Sequence, residues 1–275
     1  MPELCTAAGA AAHVDAQGPE HGEPLLLIHG LGAQLVWWRD EFVDLLVAEG
    51  YRVIRFDSRD SGLAPRYPDQ EYTLSDLADD THELVADLGV GPVHVVGQSM
   101  GGMVAQVLAI EHPRDVLSLG LLSTTASWGH LMLRDGREDP DRVAETTRAE
   151  AIAAHLDRER FCASPGHPFD TEWETVLAGL MWDRGVDPEG VARQRRAVAS
   201  LEITPEDLAT VAVPTVLIHG AADPVISDGG SLQLHAAIPD SELWIVEGMG
   251  HDLPRALWPD IVSRLVANTR RGDPR

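Results

Sequence analysis

The residues with the clearest chemical potential lie at 97–101, a segment that reads Gly-Gln-Ser-Met-Gly and follows an apolar stretch at 93–96. A serine between two glycines after a strand pattern is typical of a nucleophile elbow, a sharp strand-to-helix turn that exposes the hydroxyl. Such a strained turn brings backbone segments close, so glycine is used where a Cβ would collide. The following helix pattern would direct free N–H groups toward developing negative charge. We therefore predict that Ser99 is a catalytic nucleophile.

An acid and a histidine follow this serine in the order that would activate it. Asp223 follows an apolar run at 213–220, and His251 follows a strand pattern at 243–246. Loops at one end of a parallel sheet can bring three such side chains together. Taken singly, Asp223 before a proline could simply begin a turn, and His251 is one of 12 histidines. The joint match in residue type, order and position favours a triad of Ser99, His251 and Asp223.

A glycine-rich turn near the N-terminus supplies a candidate oxyanion hole. Residues 25–32 read as a buried strand that ends in His-Gly-Leu-Gly. Such a turn can direct a backbone N–H over the serine, and we predict that the amides of Leu31 and Met100 are the two donors. The alternative is a dinucleotide-binding turn, but Leu35 stands where its third glycine would be and no acid lies at 51–55.

The elements that must position these groups alternate regularly along the chain. Strand patterns cover 3–8, 11–16, 25–29, 52–56, 92–96, 118–123, 215–219 and 242–246, and helix patterns cover 38–49, 74–88, 101–111, 231–237 and 257–269. Alternation of this kind builds a sheet that is covered on both faces. We predict an α/β fold with a mostly parallel eight-stranded sheet and helices on both sides.

The stretch 125–208 interrupts this alternation. It contains three charge-rich helix patterns, at 141–156, 171–181 and 188–202, and no alternating strand pattern. Because it lies between two strands, we predict a helical cap inserted after the sixth strand and folded over the strand ends. The predicted domains are the first part of the core at 1–124, the cap at 125–208 and the second part of the core at 209–275.

Together these loops resemble the α/β-hydrolase superfamily over nearly the whole chain. The glycine turn, the segment Asp-Ser-Arg-Asp-Ser-Gly at 57–62, the elbow, the Asp223 loop and Gly-Met-Gly-His at 248–251 occur in that family's order. The loop at 59–62 and the stretch at 238–254 look most similar to the aclacinomycin methylesterase group, whose members remove a methyl ester from an aromatic polyketide. Many family members have glycine where Asp60 stands, and this difference affects no predicted catalytic residue.

Large apolar side chains are candidates for a substrate pocket. Trp128 and Met132 come soon after a predicted strand end, and Trp37 or Trp38 lies close enough to the glycine turn to border the acyl side. Trp182 is a further candidate within the predicted cap. The alternative is that apolar residues at helical spacing pack the cap onto the core.

These assignments predict acyl transfer through a covalent intermediate. His251 removes the Ser99 proton during attack on an ester carbonyl, Asp223 orients the imidazole, and water activated by His251 releases the acid. The predicted reaction is hydrolysis of a carboxylic ester, with a methyl ester of a polyketide-like acid as one candidate. Perhydrolase or haloperoxidase chemistry, lactone or C–C bond cleavage, and a non-catalytic ligand-binding role remain alternatives. Epoxide hydrolases and dehalogenases of this fold carry aspartate where Ser99 stands.

Composition narrows the partners and cofactors. The net charge of −23 argues against a nucleic-acid partner and disfavours anionic substrates, so we expect a small, neutral and apolar ester. All 21 basic residues are arginine, which excludes lysine chemistry. With two cysteines far apart and histidines without paired spacing, we expect no disulfide, metal or other cofactor. Without an 18-residue apolar run or a secretory signal pattern, we expect a cytoplasmic protein with no membrane partner.

Overall fold

A twisted central sheet organises the molecule, and the computed structural model describes residues 4–5, 11–132 and 146–271. The strands are β1 (Leu4–Cys5), β2 (Ala11–Gln17), β3 (Glu23–Ile28), β4 (Tyr51–Asp57), β5 (Val93–Gln98), β6 (Val116–Leu122), β7 (Thr215–Gly220) and β8 (Ser241–Val246). Their order across the sheet is β1-β2-β4-β3-β5-β6-β7-β8. In this order the six strands from β4 to β8 are parallel to one another, whereas β2 pairs antiparallel with both β1 and β4. The predicted α/β fold with a mostly parallel sheet is confirmed.

Helices cover both faces of this sheet. They are α1 (Asp40–Ala48), α2 (Leu74–Leu88), α3 (Met100–Glu111), α4 (Arg148–Cys162), α5 (Thr171–Arg184), α6 (Pro188–Ala199), α7 (Pro205–Leu208), α8 (Gly229–Ala237) and α9 (Trp258–Thr269). Alternate residues of β3 point to opposite faces, as the strand period requires. Leu26 and Ile28 pack in the core on the side of α2, α3 and α8. Leu25 and Leu27 pack in the core on the side of α1 and α9.

The helix α2 is an example of local signals that set both ends. The Thr73 side chain accepts a hydrogen bond from the Asp76 amide, and the Asp76 side chain accepts one from the Thr73 amide, which forms a capping box. At the other end Gly89 takes the left-handed conformation with φ 62°. The predicted bounds of 74–88 therefore match the observed helix.

The first helix of the 125–208 stretch differs from the prediction. A capping box between Thr147 and Glu150 starts α4 at Arg148, and the helix then continues to Cys162. The predicted helix at 141–156 therefore lies too early, and its first residues fall outside the described ranges. The predicted extended segment at 3–8 also lies largely outside them.

The helices α4, α5 and α6 all lie between β6 and β7 in the chain. Within the described residues of this stretch, extended pairing is limited to one isolated bridge, between Leu131 and Ile226. These helices contact the loops that follow β3, β4 and β8 through hydrogen bonds to Gln34, Asp60 and His251. In the parts of the chain that the structure describes, the helices are too short or too polar to cross a membrane.

Candidate active site

The backbone around Ser99 has the strained geometry expected of an elbow. Ser99 joins β5 to α3 with φ 55° and ψ −120°, a region that residues with a side chain rarely adopt. A Cβ atom at Gly97 would lie 2.2 Å from the Gly101 carbonyl oxygen, and one at Gly101 would lie 2.2 Å from the Ile28 carbonyl oxygen. Both glycines are therefore required by direct backbone contact, which explains the pattern seen in the sequence.

Hydrogen bonds hold the backbone of Ser99, and its hydroxyl does not cap the helix that follows. The Ser99 amide donates to the Leu122 carbonyl at 3.0 Å, and the Ser99 carbonyl accepts from the Thr124 hydroxyl at 2.8 Å. Ser99 occupies the N-cap position of α3, yet its side chain makes no capping hydrogen bond. The partly exposed hydroxyl thus stands at a helix N-terminus, where negative charge is favoured.

The structure brings the predicted acid and histidine together. Asp223 follows β7 and His251 follows β8, and 2.7 Å separates His251 Nδ1 from Asp223 Oδ2. Asp223 Oδ1 also accepts hydrogen bonds from the amides of Val225 and Ile226, at 2.7 and 2.9 Å. With Nδ1 donating to the carboxylate, Nε2 of His251 is the nitrogen left to take up a proton.

Burial and charge shift the pKa values of this pair in opposite directions. Burial alone would raise the pKa of Asp223, but the charge of His251 and hydrogen bonds from His219, His251 and the Ile226 amide bring that pKa below its usual value. Burial alone would lower the pKa of His251, but the Asp223 charge and hydrogen bond raise it above its usual value. Asp223 therefore stays ionised and stabilises the protonated imidazole.

Gln98 links the serine elbow to the histidine loop. Its side-chain Nε2 donates to the backbone carbonyl of His251 at 3.2 Å, and both groups are buried. Gln98 directly precedes Ser99, so this bond ties the loop that carries the imidazole to the end of β5. The sequence analysis assigned no role to Gln98, which occupies a variable position of the glycine-serine-glycine pattern.

The glycine turn after β3 lies directly against Ser99. A Cβ atom at Gly30 would lie 2.6 Å from Gln98 Oε1 and 3.4 Å from the Cβ atom of Ser99. Leu31 is the next residue, and Met100 is the first residue of α3, where amides have no acceptor within the helix. Met100 thus directly follows the serine, and Leu31 directly follows a residue that lies against it. Their role in binding an oxyanion stays a prediction.

Comparisons with known proteins agree with this geometry. The family model described as the alpha/beta hydrolase fold matches residues 23–254. The chain belongs to the α/β-hydrolase family. Its resemblance to the superfamily is thereby confirmed, and the comparisons support a hydrolase function.

Individual relatives of this α/β hydrolase include esterases. Rhodomycin D methylesterase from Streptomyces peucetius is 28% identical over 278 residues, which cover 90% of this chain and 91% of that protein. The 3-oxoadipate enol-lactonase 1 of Acinetobacter baylyi is 26% identical over 229 residues, which cover 82% of each protein. A hydrolase structure from Pseudomonas aeruginosa superposes with a TM-score of 0.78 at 27% identity and covers 98% of this chain and 97% of that chain. The first relative supports the resemblance to the methylesterase group.

A cavity of this α/β hydrolase, lined by tryptophans and by charged side chains, lies beside the histidine loop, and its lining does not include Ser99 or His251. Trp37 and Trp38 line it together with Trp173 and Trp258, and Asp252, the neighbour of His251, lies at its wall. Trp38 is also buried in the core, with 1% of its surface exposed. Two of the five predicted pocket residues therefore line this cavity.

The other three predicted pocket residues do not line that cavity. Trp128 donates from its indole nitrogen to the Ala199 carbonyl at the end of α6, and Met132 is 53% exposed. Trp182 lies on α5 and is partly buried. A substrate-binding role for Trp128, Met132 and Trp182 stays a prediction.

Residues at the C-terminal end of α4 and just after it support the histidine loop and were missed by the sequence analysis. The His251 amide donates to the Cys162 carbonyl at 2.8 Å, and the Gly250 amide donates to the Ser164 hydroxyl oxygen at 2.8 Å. The Ser164 hydroxyl in turn donates to the Asp252 carboxylate. No local signal could have revealed these contacts, because 86 residues separate Ser164 from Gly250.

Two side-chain groups at the other end of α3 have atoms close enough for metal binding. One contains His82, His112 and Asp115, and the other contains Asp79, Glu111 and His112. The rings of His82 and His112 stack at 4.1 Å, while hydrogen bonds join His82 to Asp115 and His112 to Asp79. The spacing of the histidines in the sequence did not reveal that these side chains lie close together. The expectation that the protein needs no metal stays a prediction.

Proposed function

We propose that this protein is a serine esterase that hydrolyses a carboxylic ester through an acyl-enzyme on Ser99. The observation that carries the proposal is the strained serine at the start of α3, together with the 2.7 Å contact between His251 and Asp223 on neighbouring loops. Gln98, which joins the serine elbow to the His251 backbone, supports the same arrangement. Metal or organic cofactors are not required for this chemistry.

The proposed reaction begins with proton transfer. His251 Nε2 takes the Ser99 proton as the hydroxyl oxygen attacks the ester carbonyl, and the resulting imidazolium is stabilised by Asp223. The tetrahedral oxyanion accepts hydrogen bonds from the amides of Leu31 and Met100. Collapse of this intermediate expels the alcohol, which takes its proton from His251. A water molecule activated by His251 then attacks the acyl-enzyme, and collapse of the second intermediate releases the acid and restores Ser99.

We infer further that residues 125–208 act as a cap and that the substrate is a methyl ester of a polyketide-like acid. The methylesterase relative supports this substrate class. The net charge of −23 favours a neutral or cationic ester over an anionic one.

The nucleophile is tested by labelling and by substitution. A fluorophosphonate probe should label the wild-type protein but not Ser99→Ala, and Ser99→Ala should lose about 10⁴-fold or more in kcat while it keeps its unfolding midpoint. Ser75→Ala, which removes a hydrogen bond from a half-buried serine on α2 to Glu111, is the matched control and should retain labelling and turnover. Unchanged hydrolysis by purified Ser99→Ala would eliminate Ser99 as the nucleophile.

The substrate class is tested with graded esters. Methyl esters of increasing aromatic acid size should show rising kcat/KM, measured beside short p-nitrophenyl esters and peroxide-dependent halogenation. Turnover of short esters alone would remove the polyketide assignment, and halogenation without ester hydrolysis would favour the perhydrolase alternative.

A further inference from the structure

Asp60, in the loop after β4, is a buried carboxylate that binds an arginine of α6. It takes the left-handed backbone conformation with φ 66°, and it is 3% exposed. Its carboxylate accepts two hydrogen bonds from Arg193 on α6, at 2.9 and 3.0 Å, and one each from the Tyr67 amide and the Tyr72 hydroxyl. These four hydrogen bonds come from one arginine, one backbone amide and one buried tyrosine hydroxyl. Asp60 thereby fastens α6 to the core.

The first turns of α6 sit closely on two core loops. A Cβ atom at Gly190 would lie 2.7 Å from the Asp60 Cβ atom and 3.0 Å from its carbonyl oxygen. A Cβ atom at Gly32, in the turn after β3, would lie 3.4 Å from two methyl carbons of Val191. The helix therefore contacts both the Asp60 loop and the glycine turn that adjoins Ser99.

Gln194 joins these two loops with a fully buried side chain. Its Oε1 accepts from the Gly32 amide at 3.0 Å, and its Nε2 donates to the Arg59 carbonyl at 3.1 Å and to the Ser61 hydroxyl oxygen at 2.8 Å. The orientation of the amide follows from chemistry, because the Gly32 N–H needs an acceptor and the Arg59 carbonyl needs a donor. Gln194 is thus fixed on three sides while it holds the Gly32 amide.

A second contact holds the same turn from α5. The Gln34 side-chain nitrogen donates to the carbonyls of Met181 and Gly185, at 3.0 and 3.1 Å, while Arg184 Nε donates to Gln34 Oε1 at 3.1 Å. The segment between Gly30 and Leu35 is therefore bound to helices α5 and α6 at two points. Its conformation depends on the seating of these helices.

We propose that Gln194 is a positioning residue for the oxyanion loop. By holding the Gly32 amide, it fixes the peptide between Leu31 and Gly32 and so limits rotation of the neighbouring Leu31 amide, the proposed oxyanion donor. A donor must already point at the developing charge to lower the barrier, so a loosened loop loses rate more than substrate affinity. The inference rests on the proposed esterase function. It holds that a residue of α6 supports the transition state indirectly, through the amides of the oxyanion loop.

The test compares two substitutions on α6. Gln194→Met keeps the side-chain length but removes the acceptor for Gly32, whereas Arg196→Gln, the control, breaks an exposed ion pair between α6 and Glu71. For each full-length protein, kcat and KM are measured for an ester and normalised to the fraction of sites labelled by fluorophosphonate. The inhibition constant of a trifluoromethyl ketone, which forms a tetrahedral oxyanion on serine, is measured in parallel.

We expect Gln194→Met to lower kcat about 10- to 100-fold, with KM within about threefold of wild type and a weaker inhibition constant that follows kcat/KM. Arg196→Gln should leave all three quantities unchanged. A kcat per labelled site within twofold of wild type for Gln194→Met, or an equal loss in Arg196→Gln, would overturn the proposal.

Two controls keep the outcomes separate. If wild type is not labelled and hydrolyses no ester, the esterase function fails before the Gln194 comparison begins. If Gln194→Met does not fold, Gln194→Glu, which keeps an acceptor for the Gly32 amide, takes its place. Gln194→Glu keeps the hydrogen bond to Gly32, and Ser61→Ala frees only the other end of the side chain, so both variants should keep kcat per labelled site within about threefold of wild type. A loss of about tenfold or more in either variant would contradict the proposal.

Discussion

The serine side of the site, formed by β5, Ser99 and α3, is held differently from the histidine side, formed by the loops that carry Asp223 and His251. On the serine side, backbone atoms meet where only glycine fits, as at Gly97 and Gly101. On the histidine side, hydrogen bonds to the end of α4 and to the segment after it hold the loop, and the Cys162 carbonyl accepts from the His251 amide. Close packing of the first kind tolerates no added atom, whereas hydrogen bonds of the second kind can be removed one at a time.

The largest effect expected on the histidine side comes from Asp223→Asn. The asparagine oxygen can still accept from the Val225 and Ile226 amides, but its NH2 group would face His251 Nδ1 and favour the wrong tautomer. We expect kcat/KM to fall about 10⁴-fold with little change in the unfolding midpoint. Asp69→Asn, on an exposed loop, is the control. A loss below tenfold would mean that the acid is not needed to orient the imidazole.

On the serine side, Gly101→Ala should lower the stability of the fold. The new methyl group would lie 2.2 Å from the Ile28 carbonyl oxygen, so α3 or β3 must move. We expect the free energy of unfolding to fall by about 3 kcal/mol or more, measured by urea denaturation. Gly129→Ala, whose methyl group would meet the Ser127 hydroxyl oxygen at 3.4 Å, should change it by less than about 1 kcal/mol. Similar losses in both variants would mean that the close contact at Gly101 does not restrict the serine side.

Ser164→Ala should weaken the histidine side by a smaller amount. It removes the acceptor for the Gly250 amide and the donor to Asp252, each worth about 1 kcal/mol of stability. We expect kcat/KM to fall about tenfold because His251 is less firmly held. Stopped-flow hydrolysis with an unfolding curve would measure both quantities, and Ser75→Ala again serves as the control. Wild-type turnover would show that the segment after α4 does not position His251.

The smallest expected effect is a shift in the pH profile. His251 must be neutral to act as a base, and its raised pKa places the acid limb of kcat/KM above the usual histidine value of about 6.5. The charge of Asp252 contributes to this shift, so Asp252→Asn should lower the His251 pKa and move the limb to lower pH, with the plateau rate retained. An acid limb that stays in place or moves upward would contradict this assignment.

The sequence predicted where Ser99, Asp223 and His251 lie in the fold better than it predicted the contacts that support them. Ser99, Asp223 and His251 follow strands, and patterns of a few residues reveal both the strands and the residue types. Gln194 and Gly32 are 162 residues apart, and Ser164 and Gly250 are 86 apart, so their contacts depend on how the helices between β6 and β7 settle on the core. Short-range patterns predict bounds such as those of α2, but one chain carries no signal for such distant hydrogen bonds.

The glycine at 190 has a consequence for protein engineering. At that point α6 approaches Asp60 more closely than any side chain would permit. A sequence that replaces this helix therefore cannot be chosen for its effect on substrate binding alone, because it must also preserve the contact with residue 60. A chimera that grafts the 146–208 region of a relative onto this core must also import a matched partner for residue 60. Otherwise the graft would change turnover along with selectivity.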